Sequence, residues 1–260
     1  MRLTLKTRGL AHVIPWSIPL LVILVWQVLG DWGIISTRVL PTPVHVVEAA
    51  VQLVQDGELF DYIAASAKRA LIGFLIGGGL GFFLGLLNGV FPPAEKLLDT
   101  SVQMVRTIPH LALIPLVILW FGIGEEAKLV LVALGVLFPI YVNTFHGIRT
   151  VDHGLLEMGR VYGLSGFALF WNVILPGALP SILVGVRYAL GVMWMSLIVA
   201  ETIASDSGIG YMATNAREFM QMDVVVLSIL LYALLGKLSD SIAKAIEGRW
   251  LQWHPSYSKR

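Results

Sequence analysis

Cysteine is absent from the 260 residues, so neither a disulfide framework nor a thiolate metal site can be built. Charge is nearly as scarce, at 13% Asp, Glu, Lys and Arg, about half of what an ordinary soluble domain carries. Neither sign dominates: the formal net charge is +1, which denies nucleic-acid binding its basic field. No Gly-x-x-x-x-Gly-Lys-Ser/Thr loop is present to cradle phosphates. The nearest approach, Gly236-Lys237, is followed by Leu238 and lacks the first glycine. The histidines form no His-Glu-x-x-His pair, which removes the support for zinc-protease chemistry. Internal repeats and low-complexity tracts are also missing.

What remains is apolar. Hydrophobic residues make up 57% of the chain, and the mean hydropathy is +0.79. A soluble protein of this size cannot hide that much apolar surface, because its surface demands polar cover. Lipid removes the demand. A bilayer core needs roughly 20 apolar residues per helical crossing, and runs of that kind fall at 13–30, 70–94, 107–124, 129–148, 176–200 and 224–246. The expectation is an all-α integral membrane protein of about six spans. The first run follows basic Arg2, Lys6 and Arg8 but is too long for a signal-peptide core and lacks a small-x-small cleavage pattern, so it reads as a retained span.

Basic residues set the orientation. With the N-terminus inside, twelve Lys and Arg fall in cytoplasmic segments, against five outside: Arg38, Lys68, Arg69, Lys128 and Arg217. Both termini are therefore expected in the cytoplasm. Three regions follow: an N-terminal span with an outer surface helix (1–61), a transmembrane core (62–246) and a cytoplasmic tail (247–260). Residues 44–54 have the mixed polarity of a helix lying on the outer surface.

Span two places Gly73, Gly77, Gly81, Gly85 and Gly89 four residues apart on one face. Such a ridge lets a neighbouring helix approach until backbones nearly touch. Packing within one subunit is the simpler use; a subunit interface is the alternative.

The segment 149–176 lies inside. Asp152 reads as an N-cap, Gly163 as a helix stop, and Ser165 as a second cap before another short helix ending at Leu175-Pro176. Leu155, Leu156, Val161, Tyr162, Leu164 and Phe167 are too many apolar residues for a solvated linker and imply docking. Glu157-Met158-Gly159, three residues, Gly163, nine residues, then Val173-Ile174-Leu175-Pro176 resembles the "EAA" loop of ABC importer permeases: Glu-Ala-Ala, three residues, Gly, nine residues, Ile-x-Leu-Pro. Glu157, Gly163, Leu175 and Pro176 match, while Met158, Gly159 and Val173 depart from it. Further stretches, including Ile108-Pro109-His110-Leu111 and Ala200-Glu201-Thr202, resemble the nitrate/sulfonate/taurine group, and most of all its aliphatic sulfonate permeases. The resemblance implies a type I importer permease fold in the cell inner membrane. It also implies a coupling helix gripped by an ATPase, two ATPase subunits that bind ATP and Mg, a second copy of the chain and a periplasmic binding protein. This chain would hold no cofactor of its own.

Polar groups inside spans are costly and need partners. Arg187 has Asp99, Glu157 and Asp240 as candidate counter-ions. His110, Asn143 and Glu201 either line a path or satisfy bonds between helices. Trp16, Trp26, Trp120 and Trp194 read as interfacial anchors, and Pro109, Pro115 and Pro139 as kink points. Two other classes compete. Gly163-Leu164-Ser165-Gly166 fits the Gly-x-Ser-Gly of rhomboid proteases, but no partner His is evident from spacing. A secondary transporter would show paired half-repeats, and none is found.

Overall fold

The computed structural model describes residues 4–203 and 205–253, with side chains from residue 17 onward. Those residues form helices and no strand. The expectations for Arg2 and for the last seven residues of the tail lie outside them, and those for Lys6, Arg8 and Trp16 concern side chains outside the described ones. One compact unit takes the chain up to Tyr62 together with Met212–Leu231; the other takes Ile63–Tyr211 and the chain from Tyr232 on.

The first unit holds α1 (Thr4–Asp31) and α2 (Pro43–Gln55). The described apolar stretch of α1, Ser17–Asp31, is shorter than a full crossing. Proline at the first turn starts α2, where its missing N–H costs nothing. Val46 and Ala49 are buried and Val44, Val47 and Val51 exposed.

The second unit is built on α3 (Glu58–Val90), which begins in the first, and α6 (Glu125–Arg149), α9 (Leu175–Ile203) and α11 (Met222–Trp250), which also begins in the first. Each is long and apolar enough to cross a membrane. A Cβ on Gly73 would meet Val132, on Gly77 the backbone of Ala133, on Gly81 that of Leu137, on Gly85 the Tyr141 carbonyl and on Gly89 Ile148. Contacts that climb together mean that α3 and α6 run parallel. The glycine ridge is thus an intrachain seam. Along α6 and α9 the order reverses, Gly135 lying on Ser196 and Gly147 on Ala178, so these two are antiparallel. In the same way Trp194 meets Ser239 while Arg187 meets Glu247, which sets α11 antiparallel to α9.

Parallel α3 and α6 require the chain to return between them. It does so through α4 (Pro92–Arg106), a 3-10 turn (His110–Leu113) and α5 (Ile114–Phe121), with an 82° bend between the two halves. The continuous span expected at 107–124 is therefore corrected to a broken one. Pro109 removes a donor, and Ile108 before it is driven away from helical geometry. Pro115 only opens α5, and Pro139 sits inside an unbroken α6. Among the described residues the count is four crossing helices, or five with the bent pair; the expected sixth is α1.

Candidate functional site

The segment after α6 is an elbow. Asp152 caps α7 (His153–Val161), its Oδ1 accepting from Gly154 N–H at 2.6 Å. Gly163, at φ +82°, ends the helix with Leu164 N–H on the Gly159 carbonyl (3.0 Å) and Gly163 N–H on that of Arg160 (2.9 Å), the paired bonds of a Schellman stop. A short α8 (Gly166–Leu169) follows. Ser165 stands at its N-cap position but makes no side-chain cap bond. The second helix does not end at Leu175-Pro176 as expected. It passes through a π-turn (Phe170–Ile174) straight into α9; Pro176 lies in the first turn of α9, after the widened ring has absorbed the register change.

Gly159 is where the elbow closes, because a Cβ there would stand 2.8 Å from Leu169 Cδ1. Leu156 turns inward onto the cluster of Ile148, Val151, Ala178 and Ile182. The outer face keeps Val161 at 85%, Tyr162 at 79% and Phe167 at 75% exposure, with Met158 and Trp171 half-exposed. Glu157 is exposed beside them. Leu175 and Pro176 are half-buried at the root of α9.

At the opposite end of these helices, Glu201 is buried and heavily bonded. Ser66 Oγ lies 2.8 and 2.9 Å from its two oxygens. Arg69 Nη1, Gly210 N–H and Tyr232 OH each donate to it at 2.9 Å. Through Gly210 the carboxylate caps α10 (Ile209–Glu218) from another helix, an anion at the positive end of the helix dipole. Ile209 N–H, also at that end, donates to Ser66 Oγ at 2.8 Å. Arg69 in turn binds Glu125 through Nε (2.7 Å) and Nη2 (2.6 Å) and the Ser207 carbonyl at 2.6 Å. Lys128 Nζ reaches Glu125 at 2.8 Å. Gly208, at φ +100°, leaves the space a Cβ would take from Glu201 and Arg69. These bonds clasp α3, α6, α9, the start of α10 and α11.

Arg187 donates to Asp240 and to Glu247, each at 3.2 Å. Asp240 was among its expected counter-ions; Asp99 and Glu157 are not partners. Asp99 instead accepts from Gln103 and Tyr141. Arg187 and Asp240 are each about a third exposed, whereas the Glu247 side chain is 3% exposed. Asp240→Asn leaves Arg187 bonded to Glu247 and should therefore cost little. Glu247→Gln should cost more; thermal unfolding of both variants checks the order.

His110 shares a hydrogen bond with Ser196 Oγ at 2.8 Å, on the surface of Gly135. Asn143 donates to the Pro139 carbonyl at 2.8 Å and packs on Gly185. Trp194 is buried, donates to Ser239 and meets Tyr232 edge-on, so it is a core residue rather than an anchor. Sequence reasoning missed Ser66, Glu125, Ser207 and Tyr232, and used Arg69 and Lys128 only as outer charges. The available signal was Ser66 and Arg69 at i and i+3 on one face of a span.

Residues 77–252 match the family described as binding-protein-dependent transport system inner membrane component. The chain is 62% identical to the aliphatic sulfonates transport permease protein SsuC of Escherichia coli (strain K12), over 96% of this chain and 95% of that one. It is 48% identical to the protein of the same name from Bacillus subtilis (strain 168), over 92% and 87%. The taurine transport system permease protein TauC of E. coli is 34% identical over 88% and 86%. Among solved structures, an amino acid ABC transporter chain covers 77% of this chain and 97% of its own, with a TM-score of 0.64 at 16% identity. That likeness speaks for the fold.

Proposed function

We propose, because this chain belongs to the binding-protein-dependent transport system inner membrane components, that it is the permease half-channel of an ATP-driven importer of aliphatic sulfonates. The sulfonate class is supported by the 62% and 48% identities, which exceed that to the taurine permease. Two copies of the chain form the pathway, two ATPase subunits grip the elbows, and a soluble binding protein delivers substrate at the outer end. The chain itself performs no hydrolysis.

The observation that carries this reading is the elbow: a capped, glycine-closed helical pair showing Val161, Tyr162 and Phe167 to solvent. An exposed apolar patch of that kind marks an interaction site. Driven by ATP, the ATPase would move α7, and the unbroken α8-to-α9 connection would pass the motion into the bundle. Both termini then lie in the cytoplasm with the elbow. Arg69 and Lys128, two of the five outer basic residues, are buried against carboxylates, which weakens their pull against this orientation.

Purification of the chain together with its ATPase subunit tests the reading. Val161→Asp/Tyr162→Asp should weaken the association by at least about tenfold, the factor carried by 1.4 kcal/mol, while the chain stays folded. An unchanged yield of complex would refute docking at the elbow.

A further inference from the structure

The two carboxylates of the clasp sit in unlike settings. Glu201 has no exposed side-chain surface and is tied to four groups from three helices. Glu125 is 55% exposed, yet it is the counter-ion of two cations that are nearly buried, Arg69 at 5% and Lys128 at 3%. Here the anion is the member that solvent can reach.

The cations are held in place without it. Arg69 keeps Nη1 on Glu201 and on the Ser207 carbonyl, and its Nη2 also reaches Ser207 Oγ at 2.7 Å. Lys128 Nζ lies 3.2 Å from Ser205 Oγ, which is itself fixed by the Ser207 carbonyl. The remaining edge of Arg69, Nε and Nη2, faces Glu125 alone as its anion. Glu125 is the first residue of α6, whose N-cap Gly124 supplies no side-chain cap, so the orphan N–H groups of that turn add positive potential. With Glu125 swung out, Arg69 and Lys128 keep Glu201 as the one carboxylate bonded to either of them, which leaves a positive charge without a bonded counter-ion at the edge of a low-dielectric bundle.

We propose that the Arg69 edge and Lys128 form a seat for the sulfonate headgroup at the outer end of the bundle, held between passages by Glu125 as an internal stand-in. A sulfonate is permanently anionic, and its oxygens can bridge a guanidinium edge and an ammonium as a carboxylate does. The tethered carboxylate keeps the exchange weak, which suits a site that must let its cargo go. The ligand class rests on the sulfonate reading above; the seat itself does not.

The test uses the purified complex of permease and ATPase, with methanesulfonate as probe and sodium chloride as the ionic control, read by thermal unfolding. Glu125→Gln removes the competitor and should lower the half-effective methanesulfonate concentration by about tenfold or more. Glu125→Asp, with a shorter reach, should lower it less. Glu126→Gln makes the same charge change one residue along, on an exposed side chain, and should leave it as in the wild type. No gain in either Glu125 variant would overturn the seat. So would an equal gain in Glu126→Gln, which would be a general charge effect, or an equal response to chloride. Uptake of an alkanesulfonate by wild-type protein reconstituted with its partners is measured alongside. Failure of that uptake, with the Glu125 response intact, would strike the substrate reading and leave an oxyanion seat standing.

Discussion

Replacing Glu201 with alanine should cost about 3–5 kcal/mol, the loss expected when one partner of a buried, hydrogen-bonded ion pair is removed. Four groups lose their acceptor at once: Ser66, Arg69, Gly210 and Tyr232. Arg69 keeps Glu125, but only on its outer edge, and α10 loses the anion at its N-terminus. For a chain of this size the unfolding midpoint should fall by about 10 °C. Glu201→Gln keeps the shape and should lose less. Removing both charges, as Arg69→Met/Glu201→Leu, should cost less than the two single changes added together, because no uncompensated buried charge is left. A Glu201→Ala protein with an unchanged midpoint would show that the clasp contributes nothing to stability.

An equally large effect is expected along the glycine seam. Gly81→Leu places a side chain where the Leu137 carbonyl and the Tyr141 amide already stand, and Gly77→Leu does the same at Ala133. Backbone cannot move aside as a flexible side chain can, so α3 must leave α6. Membrane helices hold together by close packing rather than by a hydrophobic drive, so the separation should abolish recovery of folded protein in detergent. Gly79 sits on the same helix with nothing within 4 Å. Gly79→Leu should give a normal yield, and that contrast excludes a mere propensity effect, since leucine is the better helix former at every one of these positions.

Much of the fold could be read from residue order. Apolar runs located the long helices, and the four-residue glycine spacing located the seam, because lipid permits few other uses of such patterns. Asp152 and Gly163 fixed the ends of α7 through local backbone chemistry that needs no tertiary information. The break at Pro109 was visible only as a kink point; the 82° bend depends on what α5 packs against, with Val117 buried beside Ala127 and Leu131. The π-turn after Leu169 was not visible at all, since no residue type announces a widened helical ring. The clasp was hidden for a different reason. Its long-range bonds to the two carboxylates join residues 31 to 135 positions apart, and each member alone looks like a flanking charge or a helix-end polar group. Only parallel α3 and α6, with α9 running against them, bring Ser66, Arg69, Glu125 and Glu201 to one level. Glu247 was passed over as tail because its apolar run ends early, although α11 continues through it to Trp250.

The most direct measurement is uptake of a labelled alkanesulfonate into sealed vesicles holding the purified permease, with its ATPase subunit on the elbow side and the loaded binding protein on the other. Accumulation should require ATP on the elbow side and should vanish in Val161→Asp/Tyr162→Asp. Concentrative uptake by the permease without any ATPase subunit would contradict it.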